Sequence, residues 1–414
     1  MKIALTGITS LRNHGVEALV VTLIHQLQQR LPDPTFLVLD RAPEYDASRL
    51  TDPRIRCLYD ETSRPLYASR IRSALLQGSG WVKGLAPEFQ QVREEIRSCD
   101  LVCATGGDLF ASEYGHRSLL SHLAPLRTAR EFDKPYFFVA QSIGPFKSDE
   151  DREAFVEVAK DAAGISVRES RSFEYVTREL GLPEGLVTLT ADPAFLLQPE
   201  GPQPLSRFRS HFNFSPDQPV VAVTPSQAIC NWMNSDYDRH FQVWCSVIDL
   251  IRQEFKAGVL IVPHVQETTP RNDDRVLATA ILRHFNFDPQ IQIAGADFSA
   301  GEFKGMISQC DMVVSERMHS CIAGLSSAVC TVAIGYSIKA KGIIGDLFPP
   351  EMVQNGLLLP VQDFLDEKVA CTKIRDAWDR RQAVHGHLLK VLPETRRRAD
   401  LTFDLIARKM GIPG

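Results

Sequence analysis

The run MVVSERMHSCIAGL, residues 312–325, reads as a strand, a polar break and a helix in immediate succession. Met312 to Ser315 has the length and apolar content of a buried strand. Ser315-Glu316-Arg317-Met318-His319-Ser320 is the break, and a helix starting near Arg317 continues through the small, apolar Ile322-Ala323-Gly324-Leu325. A buried strand that stops at polar residues and restarts as a helix is half of a βαβ unit, the building block of a parallel sheet covered by helices. In such units ligand groups gather in the loop beyond the strand's C-terminal end.

The same pattern extends in both directions. VVAVTP (220–225) and VLIVPH (259–264) read as buried strands that stop at proline, and VCTVAI (329–334) follows the helix. A first series contains Ile3–Thr6, Phe36–Leu39, Leu101–Ala104, Tyr136–Ala140 and Ile165–Val167. Between its first two strands, Val16, Leu19, Val20, Leu23, Ile24 and Leu27 recur at helical spacing. The expected fold is therefore α/β, with two Rossmann-like domains facing across a cleft, similar to the glycosyltransferase-B architecture. Residues 1–200 form the first domain and 219–390 the second. Residues 201–218, which carry Pro, Ser and Phe without periodicity, read as the linker. Residues 391–414 read as a helix crossing back to the first domain.

Composition narrows the function. A length of 414 residues suits two domains, and 44% hydrophobic with 23% charged residues is ordinary for a globular chain. The net charge of −5, with mixed signs, disfavours nucleic acid as a partner. Nine scattered cysteines without a CxxC pair read as reduced thiols, with no metal site expected. MKIALTGITS at the N-terminus reads as a strand and not as a signal peptide. No stretch has membrane-spanning length, so a cytoplasmic location is expected.

The strand ends supply the candidate site residues. GITSLRNHGVEA (7–18) places Asn13, His14 and Glu17 before a helix; alternatively Asn13 shapes a turn and Glu17 complements the helix dipole. Thr105-Gly106-Gly107-Asp108 suits close approach to the backbone, or a plain turn. Gln141-Ser142-Ile143-Gly144-Pro145 is a further polar strand end, and Arg168 stands just past another, where an ordinary ion pair is the simpler reading. Arg317 and His319 open a helix whose free N–H groups suit a carboxylate or phosphate; the plainer reading is a Ser315 cap with a buried histidine. Lys339 and Lys341 follow the next strand.

In order and wording these segments resemble the polysaccharide pyruvyl transferase family across nearly the whole chain. The resemblance rests on Asn13 to Ala18, Gly106-Gly107, QSIGP (141–145), Val167 to Ser172, ADPAF (191–195), Arg317-x-His319 and Tyr336-x-x-Lys339. The chain departs from the family pattern at Val16, where Asp is common, and at Asp108, where a third glycine is common. The resemblance implies transfer of enolpyruvate from phosphoenolpyruvate, as co-substrate and without a further cofactor, to a sugar or lipid-linked saccharide. Arg168, Arg317, His319 and Lys339 match donor-binding positions. His319 would serve as the acid and Arg317 would neutralise the donor carboxylate. Asn13 and Gln141 are candidate acceptor contacts, and Glu17, Asp108 and His264 are candidate bases. Rival readings are a nucleotide-sugar glycosyltransferase and a non-catalytic glycan-binding homologue.

Residues 62–87 are the least family-like. Arg64, Arg70, Arg72 and Lys83 alternate there with apolar and aromatic residues, without an acid between Glu61 and Glu88. Such a run suits peripheral contact with anionic lipid, or an ordinary helix–loop insertion.

Overall fold

The structure is a computed structural model of the chain, describing residues 1–61, 87–201, 205–229, 236–335 and 338–412. The membrane-contact expectation for 62–87 falls almost wholly outside them. Two compact units are present. One comprises Met1–Leu11, Leu19–Pro193 and Arg398–Gly414, and the other Arg12–Ala18 and Ala194–Arg397.

The first unit is built on seven strands: β1 (Lys2–Thr6), β2 (Thr35–Asp40), β3 (Ile55–Tyr59), β4 (Leu101–Ala104), β5 (Tyr136–Gln141), β6 (Gly164–Val167) and β7 (Val187–Leu189). They pair in parallel in the order β3-β2-β1-β4-β5-β6-β7. Strand β4 is buried along its whole length, which is why it reads as a continuous apolar run. Helices pack on the sheet around a core in which the Phe138 ring meets Phe110 at 4.9 Å and Phe155 at 5.4 Å. The terminal segment is tied into this unit by Arg398, which donates to the Thr190 carbonyl at 2.7 Å, and by Arg30, which reaches Asp400 and Asp404.

The second unit has six strands: β8 (Val220–Thr224), β9 (Gly258–Ile261), β10 (Ile291–Ile293), β11 (Met312–Ser315), β12 (Cys330–Gly335) and β13 (Leu358–Pro360). Their order is β10-β9-β8-β11-β12-β13, again all parallel. Relabelled within the unit this is 3-2-1-4-5-6, the Rossmann order, and the first six strands of the first unit follow it too. Both units are thus Rossmann-like.

The expected linker at 201–218 is corrected. Residues Leu205–His211 form a helix, and Phe208, Phe212 and Phe214 are buried in the second unit's core. Phe214 lies where a side chain on Gly258 would stand, so β9 needs glycine at its first position. The aromatic residues that made this stretch look irregular are anchors, and the change of unit comes earlier, between Pro193 and Ala194. No helix among the described residues is long and apolar enough to cross a membrane.

Candidate active site

Strand order reverses between β8 and β11 in the second sheet, and ligands of such sheets bind beyond the strand ends at that point. Thr224 and Ser315 face each other in the last register position and bond through their hydroxyls. Glu316, buried, ties the two strand ends together. Its Oε2 accepts the Ser226 N–H at 2.6 Å and its Oε1 lies 2.7 Å from His240 Nε2. The next residue, Arg317, is thereby fixed at the start of the helix Met318–Ser326, which has no side-chain cap.

Arg317 does not present its fork to a ligand. Nε and Nη2 donate to the two oxygens of Asp274 at 3.0 and 2.6 Å. Asp274 is fully buried and also accepts the N–H groups of Gln227 and Val265. Burial raises its pKa against the pull of Arg317. A guanidinium neutralised by a buried carboxylate has little net charge left for a donor anion. The guanidinium expected to clamp a carboxylate is held in an ion pair with buried Asp274 while itself only partly buried, and this pair fixes the loop.

Beside it lies a small cavity lined by His14, Ala18, Ala194, Leu197, His264, Ala300, Lys304, His319 and Ala323, with about 10 Å³ of free space. That is about the room for one water molecule. Lys304 is buried, and its ammonium donates to the carbonyls of Ala194 and Leu197 at 3.2 and 2.6 Å. His264 stands beyond the end of β9; burial first, then His14, His319 and Arg317, hold its pKa well below the usual histidine value. Among the described residues no group of three His, Cys, Asp or Glu is placed to hold a metal ion, these imidazoles included.

The first turn of the helix His14–Arg30 completes the site. Asn13 pairs with Val265 and accepts the Gly15 N–H through Oδ1, so it shapes the helix start, the plainer of its two readings. Glu17 Oε2 lies 2.8 Å from His14 Nδ1 and accepts the Ala300 N–H at 3.0 Å. His14 was legible only as one polar group among several, and Lys304 was missed. The signal for Lys304 is a lone lysine in the otherwise apolar segment Phe303–Ile307.

Gly15 has a specific purpose. A Cβ there would fall 2.4 Å from His319 Nδ1. Gly15→Ala should lower stability by about 1–3 kcal/mol, because shifting the overpacked ring costs more than the gain in helix propensity offsets. Turnover should also fall by roughly 10²-fold, because the imidazole must move. Equal turnover with a folded variant would show that His319 does not need its present position.

Arg168, Gln141 and Asp108 lie in the first unit. Arg168 is buried, with Nη1 on Asp192 at 2.7 Å and Nε on Ser142 Oγ at 2.9 Å. Gly107, at φ 85°, leaves room for that guanidinium, since a Cβ would fall 2.6 Å from Arg168 Nη1. What approaches the glycine pair is therefore the protein itself. Arg168 thus makes the ion pair that was the simpler of its two readings, with a fully buried carboxylate. Gln141 is fully buried, and its amide donates to the Ala104 and Val139 carbonyls. Asp108 accepts from the Tyr114 hydroxyl at 2.9 Å.

The family model described as polysaccharide pyruvyl transferase matches residues 13–338. The chain belongs to that family. It is 23% identical to the amylovoran biosynthesis protein AmsJ of Erwinia amylovora, over 96% of both chains. Its fold is similar to that of UDP-GlcNAc 2-epimerase from Neisseria meningitidis, with TM-score 0.60, 12% identity and 99% of each chain covered. HepE of Anabaena, solved with UDP and glucose, is similar at TM-score 0.59 and 12% identity, again over 99% of each chain. These structures share the architecture of two Rossmann-like domains with the pyruvyl transferase family member.

Of the family segment Tyr336-x-x-Lys339, residues 336 and 337 lie outside the described ones. Lys339 is buried, and burial lowers its pKa to about 7. Below pH 7 both folded and unfolded chains carry this proton, and the cost of the buried charge is present in full. Between about 7 and 10.5 only the unfolded chain carries it, so stability rises with pH across that window. Lys339→Met should stabilise by on the order of 3–5 kcal/mol at pH 6 and by less at pH 9. Urea denaturation at the two pH values reads this, and an equal gain at both would contradict it.

Proposed function

We propose that the protein transfers enolpyruvate from phosphoenolpyruvate to two hydroxyls of a sugar or polysaccharide precursor, forming a pyruvate ketal and releasing phosphate. The observation that carries this reading is His319. In a chain whose family match runs over residues 13–338, it lines a cavity with Lys304 on the first turn of an uncapped helix. The relative named for amylovoran biosynthesis supports a polysaccharide precursor as acceptor.

The chemistry asks for three things. The donor's carboxylate and phosphate need N–H donors and cations. The N-terminal N–H groups of the helix Met318–Ser326, Lys304 and Lys339 supply them, once the cavity lining moves apart to admit the donor. The donor methylene needs a proton, and His319 is the acid. Each acceptor hydroxyl must lose a proton as its oxygen bonds to the donor carbon. Calorimetric titration tests the donor: phosphoenolpyruvate should bind and UDP-sugars should not. Tight UDP-sugar binding without phosphoenolpyruvate binding would replace this reading by nucleotide-sugar glycosyl transfer.

A further inference from the structure

We infer that His14 is the base that takes the acceptor hydroxyl's proton, with Glu17 as its positioning residue; the inference rests on the pyruvyl-transfer reading above. The two residues are three apart on the first helical turn, so their side chains share one face. The side chains of both are 5% exposed or less, and His14 Nδ1 lies 2.8 Å from Glu17 Oε2. An ionised carboxylate can only accept, so Nδ1 carries the hydrogen and the lone pair of the neutral ring sits on Nε2. Nε2 is buried and has no hydrogen-bond partner, although His14 lines the cavity with His319 and Lys304.

The ring is fixed from several sides. Glu17 is itself held by the Ala300 N–H at 3.0 Å. The His14 backbone N–H donates to the His264 carbonyl at 3.2 Å, and Phe303 packs on the imidazole at a centroid distance of 4.7 Å. A side chain so constrained, on a residue that lines the cavity and with a buried ring nitrogen lacking a partner, has the form of a base awaiting its proton donor. The other candidates fit less well. Glu17 already serves two donors, and His264 is a weak base chiefly because burial disfavours its protonation.

The first hydroxyl oxygen bonds to the donor carbon that carries phosphate, and its proton passes to His14 Nε2. The double-bond electrons take a proton from His319, giving a methyl group. The bond to phosphate breaks, its electron pair leaves with the phosphate oxygen, and His14 returns its proton there. The second hydroxyl then closes the ketal, and its proton restores His319.

The test uses the full chain with phosphoenolpyruvate and methyl glycosides bearing a 1,2- or 1,3-diol. His14→Ala should lower turnover by about 10²–10⁴ with donor affinity changed less than about threefold. Free imidazole should recover at least tenfold of the loss. A folded His14→Ala variant that keeps more than about a tenth of wild-type turnover, or that imidazole does not rescue, overturns the base role. Glu17→Gln keeps an acceptor for the Ala300 N–H and guards against misfolding of the first variant. It should lower turnover and remove the low-field proton resonance of His14 Nδ1–H seen in wild type. Absence of that resonance in wild type overturns the dyad without any assay of turnover. Wild type that releases no phosphate while showing the resonance refutes the pyruvyl-transfer reading and leaves the dyad standing.

Discussion

Arg317→Ala is expected to destabilise the second unit by about 3–5 kcal/mol, because it leaves Asp274 buried and unpaired. Asp274 is 0% exposed and shares two hydrogen bonds with the guanidinium. It also anchors the Gln227 and Val265 N–H groups, so the loops after β8 and β9 should loosen together. Arg317→Lys keeps the charge but loses the planar fork and should cost less. Arg317→Met combined with Asp274→Asn removes both charges and should recover most of the loss. Denaturant unfolding of the four proteins reads the series. An Arg317→Ala variant as stable as wild type, but unable to bind phosphoenolpyruvate, would make Arg317 an anion clamp and not a brace.

His319→Gln is expected to lower turnover by about 10²–10⁴ while the affinity for phosphoenolpyruvate changes by about tenfold at most. The amide keeps the approximate size and a hydrogen-bonding end, but it cannot give up a proton near neutral pH. Single-turnover kinetics and calorimetry separate the two quantities. Equal losses in binding and turnover would make His319 a ligand for the donor and move the acid elsewhere. Its position is demanding, since Gly15 leaves no room for even one extra methyl group beside the ring.

The interior strands were legible because they are buried on both faces and therefore apolar throughout; β11 occupies the residues first read for it. The four strands that the pattern did not reveal, β3, β7, β10 and β13, are the outermost strands of their sheets. All four are only partly buried, and β7, β10 and β13 are just three residues long, too short to show a period. At the site, the residue types were legible and their partners were not. The partners of Arg168 and Arg317 could not be named because Asp192 and Asp274 are 24 and 43 positions away in the chain. His14 hid in a segment whose glutamate drew attention, although the i, i+3 spacing of His14 and Glu17 was available from the sequence. Lys304 could be recognised only once the fold placed its helix against Ala194 and Leu197.

The most direct measurement is phosphate release from phosphoenolpyruvate in the presence of methyl glycosides that offer a 1,2- or 1,3-diol, with mass spectrometry of the sugar product. The account predicts phosphate release that requires both substrates, in a one-to-one ratio with a ketal-bearing glycoside. Phosphate release that does not depend on the diol, or no release from phosphoenolpyruvate while a UDP-sugar donor is consumed, would contradict it.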